Sequence, residues 1–271
     1  MDHEQAPQPD KIDVTVPSVA RMYDFLLDGK DNYPADRTAT EQLLQAVPSM
    51  KVLALNNRQF LRRVVRRLAE DYGIKQFVDH GSGLPTLDNV HEVAQRIHPD
   101  AKVVYVDNDP IVLAHGRALL EQNENTAVLQ ADFRDTEKIW GHPETTRLID
   151  LDQPVAALFV SVLHCIPDSD DPAGVVSRVA AKLKPGSFLV VCQLVSESAQ
   201  TREYVTDFMA RATDGNWGRV RQESDLAGYL EGMEILDPGL VEVSTWRPDG
   251  DLVLRQPSDE WIEFGGVARL R

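Results

Sequence analysis

Strand-like apolar runs alternate with helix-like segments through the middle of this chain, between about residues 76 and 195. The runs include "AKVVYVDND" at 101–109 and "FLVVCQLV" at 188–195. Continuous runs rich in β-branched residues are typical of strands that are buried on both faces of a sheet. Repeated strand–helix–strand units predict a parallel sheet with helices on both sides and right-handed crossovers. The alternation therefore predicts an α/β fold.

Different patterns flank this region and suggest how the chain is organised. Residues 1–16 are polar and proline-containing, and we expect a flexible leader there. Residues 17–72 carry apolar side chains at helical spacing and predict an N-terminal cap of three helices. Residues 73–271 form the α/β domain, in which "GLVEVSTWR" and "FGGVARLR" are expected to pair as an antiparallel hairpin.

Charge and composition limit the partners of the chain. The 28 basic and 43 acidic residues give a net charge of −15, which repels nucleic acid and anionic lipid. No apolar run approaches the roughly 18 residues of a membrane span, and a signal-peptide pattern is missing from the first residues. We expect a cytoplasmic protein with no nucleic-acid or membrane partner. Cys165 and Cys192 form no CxxC pair and the histidines form no HExxH motif, so no metal is predicted.

The loop after the first predicted strand has the sequence "DHGSG". Ligands of parallel α/β sheets bind at the carboxyl ends of the strands, near the switch in strand order. Gly81 and Gly83 permit close backbone approach to a ligand, with Asp79 and Ser82 beside them. A plain strand-to-helix turn is the alternative interpretation of the two glycines.

Acidic residues also follow the next two predicted strands. Asp107 and Asn108 come after the second strand, and Asp107 lies 24 residues beyond Gly83 in the sequence. That offset is compatible with the roughly 20 residues typical of nucleotide-binding units, in which the acid accepts hydrogen bonds from a ribose. Asp132 and Phe133 follow the third strand. Each signal is weak alone, but their coincidence at three consecutive strand ends predicts a nucleotide-like cofactor.

The details of the glycine loop favour a cofactor without phosphate. Thr86 occupies the third-glycine position of a dinucleotide motif, and the chain has no GxxxxGK[ST] sequence. Asp79 suits a cation better than a pyrophosphate. S-adenosylmethionine carries an ammonium and a sulfonium, and we expect Asp79 near its methionine part and Asp107 on its ribose. Asp132 and Phe133 are expected around its adenine.

Three of these motifs, "DHGSG", "VYVDNDP" and "LQADFRD", resemble the cofactor motifs of class I S-adenosylmethionine-dependent methyltransferases. Longer stretches such as "ARMYDFLLDGKDNYPADR", "VVYVDNDPIVLAHGRALL" and "PGLVEVSTWRPDG" resemble an actinobacterial S-adenosyl methyltransferase family once catalogued as a domain of unknown function. The resemblance implies a Rossmann-like, mostly parallel seven-stranded sheet with a C-terminal antiparallel hairpin. It specifies no substrate.

Further residues are candidates for roles around the bound cofactor. Tyr33 lies in a polar stretch that is expected to close over the cofactor, with a helix-linking turn as the alternative. Arg58 is a candidate to neutralise the cofactor carboxylate, and a solvated arginine is the alternative. Ser161 follows the fourth strand and is a further cofactor contact. His164 is the best candidate for a general base, oriented by Asp168, although a structurally hydrogen-bonded histidine is the alternative.

The resemblance and the motifs together predict a methyltransferase. It would transfer a methyl group from S-adenosylmethionine to a small-molecule acceptor and release S-adenosylhomocysteine, and a homodimer is expected. A protein that binds either form of the cofactor without catalysis, as a sensor or scaffold, is the second hypothesis. The third is an NAD-dependent oxidoreductase, against which Thr86 and the terminal hairpin argue.

Overall fold

The computed structural model describes residues 13–85, 88–119, 123–250 and 261–271. Its helices are α1 (Val19–Leu26), α2 (Pro34–Ala46), α3 (Met50–Tyr72), α4 (Val90–Ile97), α5 (Pro110–Leu119), α6 (Thr136–Trp140), α7 (Pro143–Leu148), α8 (Pro172–Ala180), α9 (Ala199–Ala212) and α10 (Glu223–Tyr229). Its strands are β1 (Gln76–His80), β2 (Lys102–Asp107), β3 (Thr126–Gln130), β4 (Ala156–Val160), β5 (Phe188–Val195), β6 (Glu234–Ile235), β7 (Val241–Glu242) and β8 (Ile262–Arg269). Within these ranges, none of the helices has both the length and the apolar character that crossing a bilayer requires.

One mixed sheet forms the centre of the protein, with the strand order β3-β2-β1-β4-β5-β8-β6. The first five strands are parallel, and β8 runs antiparallel beside β5 along its full length. The α/β fold with a mostly parallel sheet is thereby confirmed. The sheet has eight strands rather than the expected seven, because the two-residue β6 adds an edge that no sequence pattern marks.

The expected antiparallel pairing near the C-terminus is present but short. β7 pairs with β8 through only two positions, Val241 opposite Gly265 and Glu242 opposite Phe264. Residues 251–260, which connect the two runs, lie outside the described residues, as do residues 1–12 of the expected leader. The helices α6 and α7 lie between β3 and β4, in a polar segment for which the sequence pattern predicts no helix.

Apolar side chains cover both faces of the sheet, because successive strand residues point to opposite sides. On β1, Val78 packs with Phe159 into the core beneath α8, and its neighbour Phe77 packs with Phe60 and Val64 of α3. A third group, here called the cap cluster, joins the N-terminal helices to α9. It consists of Met22, Ala39, Leu43, Val47, Leu53, Leu194, Val205, Met209, Trp217, Val220 and Trp261.

Two buried carboxylates hold the polar turn between α1 and α2. Asp36 accepts hydrogen bonds from the Tyr33 backbone N–H at 2.8 Å and from the Arg21 Nε at 3.1 Å, and Asp36 and Arg21 are both buried. Asp24 accepts from the Asn32 side-chain amide at 2.8 Å. The turn therefore joins two helices through an N-terminal capping box, which was the alternative interpretation of this stretch.

Candidate active site

A cavity of about 610 Å³ lies at the carboxyl ends of β1, β2 and β4, with α1 on its opposite side. Its volume falls within the roughly 300–1,000 Å³ of typical ligand sites. It lies where the strand order switches between β1 and β4, which is the expected ligand position in an open α/β sheet. The predicted site residues that line it are Arg58, Asp79, Gly81, Ser82, Gly83, Asp107, Asn108, Asp132, Phe133, Ser161 and His164.

The glycine loop after β1 is held against β2 by its backbone. The N–H groups of Gly81 and Ser82 both donate to the Val106 carbonyl, at 2.8 and 3.1 Å. Gly81 has a φ of 76°, and a Cβ there would lie 2.2 Å from a methyl carbon of Val162. Gly83 has a φ of 65°, but a Cβ there would meet no atom within 4 Å. Gly81 is thus required by protein packing, whereas Gly83 borders open space in the cavity wall.

Asp107 connects the glycine loop to the loop after β2. One carboxylate oxygen accepts the Gly83 N–H at 2.8 Å, and the other accepts the Asp109 N–H at 2.9 Å. Burial raises the pKa of Asp107 to about 6, against the effect of these two hydrogen bonds. Each carboxylate oxygen can accept a second hydrogen bond, so the group can also receive two hydroxyls of a ligand.

Asp79 is a second buried carboxyl in the same cavity, only 4% exposed. Burial raises the pKa of Asp79 to about 7; the nearby Arg58 lowers it and Asp107 raises it further. Arg58 is half-buried and donates to the Asn89 side-chain carbonyl at 3.0 Å, so it is not a solvated surface arginine. Two buried acids in one cavity favour a ligand that carries positive charge.

Asp132 and Phe133 lie at the end of β3, and a neighbouring arginine holds the aspartate. The Arg134 Nε donates to both oxygens of Asp132 at 2.9 Å, and Arg134 also pairs with Asp170. Partial burial raises the pKa of Asp132, but the Arg134 hydrogen bonds outweigh it and leave the pKa below its ordinary value. Asp132 is therefore charged at neutral pH, and Phe133 packs beside it against the core.

Ser161 at the end of β4 is held by a carboxyl from the last strand. It has a φ of 57°, unusual for a residue with a side chain, and its hydroxyl donates to Glu263 at 2.5 Å. The Cys192 thiol donates to the other Glu263 oxygen at 3.0 Å. Burial raises the pKa of Glu263, which is 2% exposed, to about 7. Sequence reasoning missed Glu263, although an acid inside the apolar run "IEFGGVAR" is a signal of a special role.

We expect Glu263→Gln to flatten the dependence of protein stability on pH. Since its pKa is higher in the folded protein than the ordinary 4.5, Glu263 stabilises the fold below about pH 4.5. That contribution is lost as the pH rises through about 7. Glutamine does not titrate, so the variant lacks this decrease in stability. Melting temperatures of the cofactor-free protein from pH 5 to 8.5 measure the effect, with the exposed Glu234→Gln as control. Parallel curves for Glu263→Gln and the unsubstituted protein would contradict the expectation.

His164 lines the cavity but does not have the geometry of a general base. Its Nδ1 lies 3.2 Å from the Leu194 N–H, a donor, so Nδ1 accepts and the proton of the neutral ring is on Nε2. Burial, with a further effect of Arg221, lowers the pKa of His164 to about 3. The only lone pair of the ring is therefore occupied, which corrects the expected role. Asp168 does not orient His164 but pairs with Arg219 and Arg221.

The two tyrosines of the cap lie in different positions. Tyr33 is 36% exposed, packs against the Arg21 guanidinium at 5.4 Å and does not line the cavity. Tyr23 does line the cavity; its hydroxyl donates to the Ala54 carbonyl at 3.0 Å and accepts from the Asn57 amide at 2.9 Å. The structure thus brings α1, but not the turn around Tyr33, to the cavity. Thr86 lies outside the described residues.

The strand order, the glycine loop after β1 and the acid at the end of β2 together define the Rossmann-like fold of class I methyltransferases. The chain belongs to the S-adenosyl methyltransferase family, whose pattern matches residues 5–271. The protein is therefore an S-adenosylmethionine-dependent methyltransferase, and S-adenosylmethionine is its cofactor. Membership in this family argues against the hypothesis of an NAD-dependent oxidoreductase.

Solved structures agree with the family membership. A DUF574 family protein from Streptomyces avermitilis is 35% identical, with a TM-score of 0.88 over 96% of this chain and 100% of its own. A candidate methyltransferase from Thermobifida fusca is 38% identical, with a TM-score of 0.86 over 100% of both chains. The mitomycin 7-O-methyltransferase MmcR shares the fold at 18% identity and a TM-score of 0.51, over 94% of this chain and 74% of its own. No curated protein matches the chain.

Proposed function

We propose that this methyltransferase acts on a small molecule that binds in the same cavity as the cofactor. The observation that carries the proposal is the set of residues that line the cavity. The predicted cofactor loops line one part of it, and side chains of the cap cluster line another. The Ser18 hydroxyl at the start of α1 donates to Asp109 at 2.6 Å, which joins the cap to the loop after β2. A cavity between the sheet and a joined cap suits an acceptor that is small enough to enter it.

The residues around the cavity fit S-adenosylmethionine. Gly83 leaves space that a side chain would fill, and the buried Asp79 and Asp107 supply negative charge for a cationic ligand. We assign Asp107 to the ribose, Asp79 and Arg58 to the methionine part, and Asp132 with Phe133 to the adenine. Gly81, Ser82, Asn108 and Ser161 complete the proposed contact set.

When bound, S-adenosylmethionine supplies a methyl group whose bond to sulfur breaks as its bond to the acceptor forms; sulfur keeps the electron pair, and any proton on the acceptor atom leaves to water. The methyl group is already activated, so the protein's own residues need only orient the two molecules and exclude bulk water. The two glycines and Asp107 orient the cofactor in this proposal, and α1 excludes water. In this proposal His164 forms part of the cavity wall and does not act as a base.

Cofactor affinity is expected to rise as the pH increases from 5.5 to 7.5. Asp79, with a pKa of about 7, and Asp107, with a pKa of about 6, are increasingly neutral below those values. A cationic ligand binds their ionised forms better, so its binding releases protons. For each proton released, the affinity rises by up to about tenfold per pH unit. Calorimetry with S-adenosylmethionine in buffers of different ionisation enthalpy counts those protons. An Asp79→Asn variant should release fewer; a pH-independent affinity would contradict the proposed contacts.

Labelled methyl transfer tests the proposed function directly. The protein is incubated with methyl-labelled S-adenosylmethionine and a cell extract separated by ultrafiltration. Label in the small-molecule fraction supports the proposal, whereas label only in the macromolecular fraction overturns it. Tight cofactor binding without transfer to either fraction would favour the sensor or scaffold hypothesis.

The cytoplasmic location, the homodimer and the division into leader, cap and 73–271 domain stay predictions.

A further inference from the structure

The segment before α1 forms one wall of the cavity. Residues 13–18, here called the N-terminal strap, contain no helix or strand. The strap residues that line the cavity are Asp13, Val16, Pro17 and Ser18. Residues 13–15 are exposed and residues 16–18 are half-buried, and Val14 and Val16 belong to none of the buried apolar clusters of the described ranges. The strap is therefore a cavity wall that buried apolar contacts do not hold in place.

Hydrogen bonds hold the strap on two sides instead. On the cap side, the buried Arg21 guanidinium donates to the Asp13 and Val16 carbonyls. On the sheet side, the Ser18 hydroxyl donates to Asp109, in the loop after β2, at 2.6 Å. Ser18 directly precedes α1, but its side chain makes no capping bond to that helix. The Ser18–Asp109 bond therefore ties the strap to the sheet without a part in forming α1.

The Ser18–Asp109 bond lies beside the residue that we assign to the cofactor ribose. The Asp109 backbone N–H donates to the Asp107 carboxylate at 2.9 Å. A cofactor bound on Asp107 is therefore adjacent to the strap, and movement of the strap would open the cavity at that point.

Opening the strap breaks few contacts. Arg21 keeps its 3.0 Å ion pair with the buried Asp36 when the strap carbonyls leave, so no buried charge loses its partner. Asp36 also accepts the Ser18 N–H at 2.9 Å, which anchors the end of the strap at α1, and α1 is itself fixed in the cap cluster. Segments with few buried apolar contacts open at the lowest free energy. The strap meets that condition.

We propose that the N-terminal strap is the gate of the cofactor site and that the Ser18–Asp109 bond is its latch. The strap moves away to admit S-adenosylmethionine and to release S-adenosylhomocysteine. When it is closed, it keeps bulk water from the bound cofactor. This inference rests on the proposed function, because it uses the cofactor position assigned there.

Ser18→Ala removes the latch and tests the gate on the full chain. We expect the association and dissociation rate constants of S-adenosylhomocysteine both to rise about threefold to tenfold, the size of one net hydrogen bond, while Kd changes less. Stopped-flow fluorescence measures both constants. Ser244→Ala is the matched control, because Ser244 also donates to a carboxylate, that of Glu242, but does not line the cavity. Unchanged rates, or a rise in the dissociation rate alone, overturn the latch.

Hydrogen exchange tests the opening without any substitution. In S-adenosylhomocysteine at about ten times its Kd, exchange of the strap amides through the open, cofactor-free form should slow about elevenfold. The amides of α7, which does not line the cavity, should change less. Equal exchange of the strap amides with and without S-adenosylhomocysteine overturns the gate alone. A failure of S-adenosylhomocysteine to bind at all would overturn the proposed cofactor contacts and the gate with them.

Discussion

Replacing Gly83 by leucine should reduce affinity for S-adenosylmethionine at least about a hundredfold, which corresponds to about 2.7 kcal/mol, while the protein stays folded. The side chain would start in the open space beside the cavity, where no protein atom lies within 4 Å of a Cβ. It would therefore occupy volume assigned to the cofactor rather than volume filled by the protein. The left-handed φ of 65° adds roughly 1–2 kcal/mol of backbone strain, which affects stability.

Gly73→Leu supplies a matched control for that strain. Gly73 ends α3 with a φ of 67°, and a Cβ there also meets nothing within 4 Å, but it does not line the cavity. Equilibrium unfolding should show similar losses of stability for the two variants, and calorimetry should show lost cofactor binding only for Gly83→Leu. Unchanged binding in Gly83→Leu would mean that the loop is only a turn. Gly81 is a poorer test, because its substitution also collides with Val162.

Asp107→Asn should weaken cofactor binding by about 10- to 150-fold, which corresponds to the loss of one hydrogen bond to a charged acceptor at roughly 1.5–3 kcal/mol. Both Asp107 oxygens already accept backbone N–H groups, from Gly83 and Asp109. An asparagine side chain has one accepting oxygen and a donating amide, so it cannot keep both contacts and also receive two ribose hydroxyls. The expected loss therefore combines weaker ribose recognition with a weaker contact to the Gly83 N–H.

A ribose-modified ligand makes that prediction sharper. The unsubstituted protein should discriminate strongly against 2′,3′-dideoxy S-adenosylhomocysteine, and Asp107→Asn should lose most of that discrimination. Asp135→Asn is the control, since Asp135 also accepts a backbone N–H, at the start of α6, but does not line the cavity. If Asp107→Asn discriminates as well as the unsubstituted protein, Asp107 does not bind the ribose.

Local patterns in the sequence predict the fold and one part of the cavity. The β-branched runs are buried strands, and the residues at their carboxyl ends meet at one sheet edge because the strands are parallel. Gly83 and Asp107 come together for that reason, although 24 residues separate them in the chain. The positions of such residues depend only on where the strands end and on how they are connected. Short segments of sequence specify both.

Contacts between distant segments are not predictable in this way. Glu263 reaches Ser161 only because β8 inserts beside β5, a pairing that no local pattern marks. His164 has the residue type of a base, but its lone pair is used by the Leu194 N–H, which depends on tertiary placement. The polar residues near Tyr33 are compatible with a ligand contact and with a helix-linking turn. In the structure, the hydrogen bond from the Tyr33 N–H to the buried Asp36 accounts for the polarity of this turn.

The position of β8 also has a consequence for how the protein is made. This strand, near the end of the sequence, contributes Glu263, which holds Ser161 in the cavity wall, and it follows directly after Trp261, which also lines the cavity. On the ribosome, the five parallel strands emerge first and leave the β5 edge unpaired until β8 arrives. An unpaired edge of eight residues is a template for aggregation. A nascent chain without β8 therefore has neither a finished ligand cavity nor a protected sheet edge, and ribosome-bound chains of increasing length should gain cofactor binding and protease resistance together.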